Sequence, residues 1–169
     1  MRKLAALTIA IAALGLATAQ AMAGATPGKT YGWVVGFLPA GSSDTAKAPD
    51  GSTITMKGNG SLTTSPDSSA SGGGTYAKSN GDSGTWTVTG LDSFVSYGAG
   101  TVSPTNGGEA KLSVTLSNGQ TGLLTIICVA PGSSPPPSKM EGIQLILGSG
   151  VSDEYTDQGG GNTVFLRTS

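Results

Sequence analysis

Apolar and polar residues alternate in short segments along most of this chain. In "TYGWVVGFL" (30–38) Tyr31, Trp33, Val35 and Phe37 fall on one face of an extended strand, and in "STITMKG" (52–58) Ile54 and Met56 do the same. "GSLTTS" (60–65) is a weaker strand signal. "GTYAKS" (74–79) and "GTWTVTG" (84–90) flank "NGDSG", which suits a hairpin. Within "GTWTVTGLDSFVSYG" (84–98), Trp86 and Val88 alternate with threonines until Gly90, where the period slips by one. A bulge at 90–92 then leads into "SFVSYG" (93–98), so that Phe94 or Val95 turns inward and Tyr97 reaches a rim. "EAKLSVTLS" (109–117), "TGLLTIICV" (121–129), "GIQLILG" (142–148) and "NTVFLRT" (162–168) complete the set. Gly, Pro, Asn, Asp and Ser clusters separate these segments. The pattern predicts an all-β fold, an antiparallel β-sandwich (immunoglobulin-like or jelly-roll-like) of roughly 8–10 short strands.

The sharpest local signal is "SNGQ" (117–120). Asn118-Gly119 suits a two-residue turn with two positive φ values, which would set Val114 opposite Leu123 and Ala110 opposite Ile127. The second strand of that hairpin, "GLLTIICV", is apolar on both faces. It therefore needs cover on both, from loops over its outer face or from another molecule. "AGSSDTAKAPDG" (40–51) has no period and reads as a loop. "APGSSPPPSKMEG" (130–142) holds four of the nine prolines and reads as an exposed connector. "SGGGT" and "QGGGN" read as flexible turns.

The N-terminus follows a different pattern. Arg2 and Lys3 precede an apolar run (4–19) and the small-residue site "AMA" (21–23), the layout of a secretory signal peptide cleaved after Ala23. Cleavage leaves 146 residues (169 − 23), enough for a single β-sandwich domain over 24–169, secreted or periplasmic, with no membrane span in the mature chain. Its formal charge becomes −3 (7 basic against 10 acidic), with no basic cluster to attract nucleic acid. Cys128 is the sole cysteine, so no disulfide forms within the chain. Its apolar neighbours predict a buried, inert thiol, the alternative being a disulfide-linked dimer.

Histidine is absent, which removes the commonest general base and zinc ligand together. Carboxylate chemistry remains open, with Asp92, Glu109, Glu141, Asp153 and Glu154 as candidate acids. Asp153, Glu154, Asp157 and Asn162 in "SDEYTDQGGGN" are oxygen ligands suited to calcium, but their spacing fits no standard loop and a polar connector is the reading preferred, with no cofactor. "NGS" (59–61) matches a glycosylation acceptor. Among the aromatic residues, Trp33 and Trp86 read as core. Tyr76, Tyr97 and Tyr155 are the rings expected at the surface, hence the candidate binding residues.

"GTWTVTGLDSFVSYG", "LTIICVAPGSSPPPSKMEGIQL" and "NTVFLR" resemble a group of small exported bacterial proteins of undefined role. The resemblance implies a bacterial source and carries no mechanism. The sequence points to a non-catalytic binding, adhesion or surface-structural protein whose partner is a polysaccharide or another protein at the cell surface. A secreted carbohydrate-active enzyme with paired carboxylates is the alternative. A small outer-membrane barrel would need an outward apolar band, and a pilus subunit a missing strand.

Overall fold

A computed structural model describes residues 28–39, 42–148 and 153–168; the expected leader, residues 1–23, lies outside them. Every regular element in the described residues is a β-strand, and every pairing between strands is antiparallel. The strands are β1 (Thr30–Val35), β2 (Asp44–Lys47), β3 (Thr53–Thr63), β4 (Ser69–Lys78), β5 (Ser83–Ala99), β6 (Thr105–Leu116), β7 (Thr121–Cys128), β8 (Gly142–Leu147), β9 (Glu154–Tyr155), β10 (Asp157–Gln158) and β11 (Thr163–Arg167). All eleven belong to one hydrogen-bonded sheet.

That sheet closes on itself twice. β3 and β6 are long enough to hold two neighbours on the same edge. On β3, Thr53–Met56 pair with β2 and Gly58–Thr63 with β1. On β6, Thr105 and Asn106 pair with β11, and Gly108–Thr115 with β7. One circuit therefore runs β1-β3-β4-β5-β6-β11 and back to β1. The other runs from β2 through β3, β4, β5, β6, β7 and β8 to β9; one residue beyond β9, β10 pairs with β2 and completes it. Among the described strands only β9 and β10, two residues each, are paired along a single edge.

Glycine makes the interior possible. Trp33 (β1) and Trp86 (β5) stack across it, centroids 5.7 Å apart. Their rings lie on a floor of glycines from β3 and β4. A Cβ at Gly58 would come within 2.7 Å of Trp86 Cζ2, one at Gly72 within 2.7 Å of Trp33 Cζ2, and one at Gly60 would collide with the Trp33 ring. "SGGGT", predicted as a turn, is thus the middle of β4: the glycines are there for space. The Trp86 indole N–H donates to the carbonyls of Lys57 and Thr75, 3.3 and 3.2 Å away.

β5 shows how irregular spacing can still fill one face. Register shifts fall between Val88 and Gly90, Leu91 and Ser93, and Ser96 and Gly98. Each inserts one residue, so the inward positions become Trp86, Val88, Leu91 and Phe94, and β6 opposes them with an unbroken Leu116, Val114, Leu112, Ala110. The slip predicted at 90–92 is part of a longer series. Beyond Phe94, Val95 is exposed, and Tyr97 is buried outside the core, against Glu109 and the proline loop.

Two further expectations change. The 117–120 turn is one residue longer than predicted: Leu116 N donates to Gln120 O and Gly119 N to Leu116 O, 2.8 and 2.9 Å. Only Gly119 has positive φ (87°), whereas a two-residue turn of the expected type would need it at Asn118 too. The register shifts accordingly, with Leu112 opposite Leu124 and Ala110 opposite Ile126. Residues 40–51, read as a loop, contain β2, whose only apolar inward residue is Ala46, opposite Ile54. The cover that β7 requires comes from the proline loop. Ser134 N donates to Tyr97 O (2.8 Å), and Lys139 Nζ pairs with Glu109 at 2.6 Å, beside buried Ile127.

Candidate functional site: a carboxyl-lined seam and its recess

The two circuits part at the start of β11. There β6 reaches only as far as Phe165, so the Thr163 amide lacks a ladder partner on that side, and the Asn162 amide lies past the end of β1 at Val35. Two carboxylates supply acceptors. Asp44 Oδ1 receives the Asn162 N–H at 2.8 Å, and the Gly36 N–H also reaches this group. Glu141 Oε1 receives the Thr163 N–H at 3.0 Å, and the Val129 N–H reaches the same carboxylate. Gly161 must be glycine here, since its Cβ would sit 2.5 Å from Asp44 Cγ. Backbone donors thus explain why a loop-like tetrapeptide, Asp44–Lys47, carries a carboxyl into the interior.

Asp44 is 0 % exposed, and its Oδ2 has no hydrogen-bond partner. Burial pushes its pKa above the ordinary 3.8, against the lowering effect of the two amides. Glu141 is half-buried; burial raises its pKa too, and the nearby Asp44 charge adds to the effect. Lys139, two residues upstream of Glu141, is committed to Glu109.

Glu141, Asn162 and Thr163 also form one wall of a recess of about 350 Å³. The remaining lining is largely apolar, with Val129, Ala130 and Val164 inside. Phe37, Leu38 and Val102 stand at its mouth, 41, 56 and 68 % exposed. Phe37 was expected on the inward face of β1. Gly36, at φ 77°, ends that strand and turns Phe37 out, where its N–H donates to Asn162 O at 2.7 Å. Asp44 does not line the recess; it lies behind the wall.

The three predicted binding tyrosines are elsewhere and do not form a face. Tyr76, Tyr97 and Tyr155 are 3, 8 and 3 % exposed. The Tyr76 hydroxyl donates to Asp82 (3.2 Å) and that of Tyr97 to Glu109 (2.9 Å) beneath the proline loop, while Tyr155 sits on β9 opposite Leu145. The expectation of exposed rings fails because each tyrosine has a local polar partner or a closing strand over it. The other candidate acids are also dispersed. Asp92 accepts from Ser113 Oγ at 2.7 Å, Asp153 lies 3.9 Å from Lys78, and Glu154 is exposed. Asp157 is on β10 opposite Lys47, and among the described residues no three His, Cys, Asp or Glu side chains are grouped to hold a metal.

No family model, curated protein or solved structure matches this chain.

Cys128 lies against the recess yet is 2 % exposed, and burial pushes its thiol up to about 11. A thiol held protonated and covered reacts slowly. Native protein is expected to leave a thiol-labelling reagent essentially unreacted over an hour at pH 8, with full labelling in urea. Rapid native labelling would contradict the placement of Cys128.

Asp44, Leu38 and Val102 were not singled out from the sequence. The available signal was "GFLPAG", where two adjacent large apolar residues precede a proline and have no strand to continue.

Proposed function

We propose that this is an exported, non-catalytic binding protein that recognises an apolar group, presented by a protein or small molecule, in the recess behind Phe37, Leu38 and Val102. The observation that carries this reading is the recess itself: an apolar concavity of about 350 Å³ with exposed large side chains at its mouth and one carboxylate in its wall. The commitment of both seam carboxylates to backbone amides supports a non-catalytic role. Burial of the three tyrosines weakens the polysaccharide version, which needs exposed rings for stacking. Lys57, Asn59 and Ser61 on β3 and Thr85, Thr87 and Thr89 on β5 face outward, so these strands give no apolar band for a lipid bilayer. No helix among the described residues is long and apolar enough to cross a membrane.

Calorimetric titration with 2-phenylethanol tests this directly. Saturable binding to the folded protein is expected, and Val102→Glu at the mouth should abolish it without lowering the melting temperature. Unchanged binding by that variant would refute the assignment. The paired-carboxylate enzyme retains one supporting observation, the proximity of Asp44 and Glu141. Release of reducing sugar from a polysaccharide panel, lost in Glu141→Gln, would replace the binding reading.

A further inference from the structure

Building on the recess as a binding site, we infer that its ligand is an organic cation: an apolar body carrying an ammonium head that sits against Glu141. The argument is charge complementarity. Among the described residues Glu141 is the only ionisable wall group besides the Cys128 thiol, which burial keeps neutral. Behind it lies a second carboxyl, Asp44, fully buried and with one oxygen unpartnered. Among the described residues neither forms an ion pair with a basic side chain; Lys139 is bound to Glu109, and Lys78 to Asp82 and Asp153. Two carboxyls with no ion-pair partner among the described residues sit beside an apolar cavity that opens to solvent.

An ammonium group entering here would supply the missing positive charge. Glu141 uses Oε1 for Thr163 and receives Val129, which leaves lone-pair capacity for a third donor. Phe37, an aromatic lining residue that is partly exposed, can attract the same charge. An anionic ligand would meet repulsion from both carboxyls. A neutral ligand would fill the recess and leave the imbalance in place.

Three probes of matched shape test this: 2-phenylethylammonium, 2-phenylethanol and 3-phenylpropionate, titrated calorimetrically at pH 7 into the full chain. A hydrogen bond to a charged group contributes about 1.5–3 kcal/mol, which corresponds to roughly ten- to hundredfold in affinity. The ammonium is therefore expected to bind at least about tenfold tighter than the alcohol, and the carboxylate not to bind measurably. Glu141→Gln retains an acceptor for the Thr163 N–H. It should remove most of the amine's advantage and bring its affinity close to that of the alcohol. Equal binding of amine and alcohol by the native protein would overturn the inference but spare the recess, whereas binding by none of the three would remove both. Should Glu141→Gln not fold, the native amine-to-alcohol ratio decides by itself.

Discussion

Trp33→Ala is expected to lower the free energy of unfolding by about 3–5 kcal/mol, a large share of the roughly 5–15 kcal/mol available to a domain. Trp33 is fully buried, stacks on Trp86 and rests on Gly60 and Gly72, so alanine leaves a cavity bounded by backbone. Backbone paired on both edges cannot collapse into that space, which puts the loss at the upper end for such truncations. The indole N–H of Trp33 has no partner. Trp33→Phe should therefore cost much less, since it keeps most of the ring and removes an unsatisfied donor. Gly60→Ala should be damaging for the converse reason, as its new methyl group would meet the Trp33 ring and the Ser71 carbonyl. Urea unfolding followed by tryptophan fluorescence and circular dichroism measures all three. A loss below about 1 kcal/mol for Trp33→Ala would contradict the described core.

At Asp44, the acceptor and the charge make opposite contributions, and two substitutions separate them. Asp44→Ala strands the amides of Asn162 and Gly36, at about 1–3 kcal/mol for each buried donor left unmade. Removal of an unpartnered carboxyl oxygen offsets part of that loss. Asp44→Asn keeps the acceptor, removes the charge beside Glu141, and should match or exceed the native stability at pH 7. The pH dependence follows from the direction of the shift. The folded pKa of Asp44 lies above the ordinary 3.8, so its stabilising contribution is complete below that value and declines as pH rises through the folded pKa. The advantage of Asp44→Asn over the native protein should therefore grow from pH 4 to pH 7. Glu109 acts oppositely. Although burial alone would raise its pKa, Lys139 and Tyr97 together hold it below the ordinary 4.5, so its contribution is present above that value and is lost as pH falls through the folded pKa. Taking the difference between variant and native cancels Glu109. A difference that shrinks with rising pH would mean that Asp44 is not buried as a destabilised carboxylate.

The strands with inward apolar pairs were legible from spacing alone: Tyr31, Trp33 and Val35, then Ile54 and Met56, then Trp86 and Val88. Their period of two survives because every second side chain enters the same interior. β2 escaped because its burial depends on a carboxyl serving the Asn162 amide, 118 residues away, which leaves no local period. The glycines of β4 escaped for a related reason: "SGGGT" has turn composition, and only the two indoles opposite it explain the need for room. In β5 the first slip was visible at Gly90, but a series of three depends on pairing with an unbulged β6. The tyrosines were misjudged because a hydroxyl group suggests solvent. Those of Tyr76 and Tyr97 instead meet Asp82 and Glu109 beneath neighbouring chain. As for the recess, its mouth residues come from segments far apart in sequence, and only closure of both circuits brings them together.

The proposal of a non-catalytic role turns on whether the seam carboxylates are engaged by the protein's own backbone. Residue-resolved amide hydrogen exchange by NMR reads this at Asn162 and Thr163. Both amides should exchange as slowly as those of Val164 and Phe165, with protection at Asn162 lost in Asp44→Ala while β11 keeps its own. Exchange as fast as that of exposed Gly160 would mean that the acids are not held by these amides, and would return them to the list of groups free for chemistry.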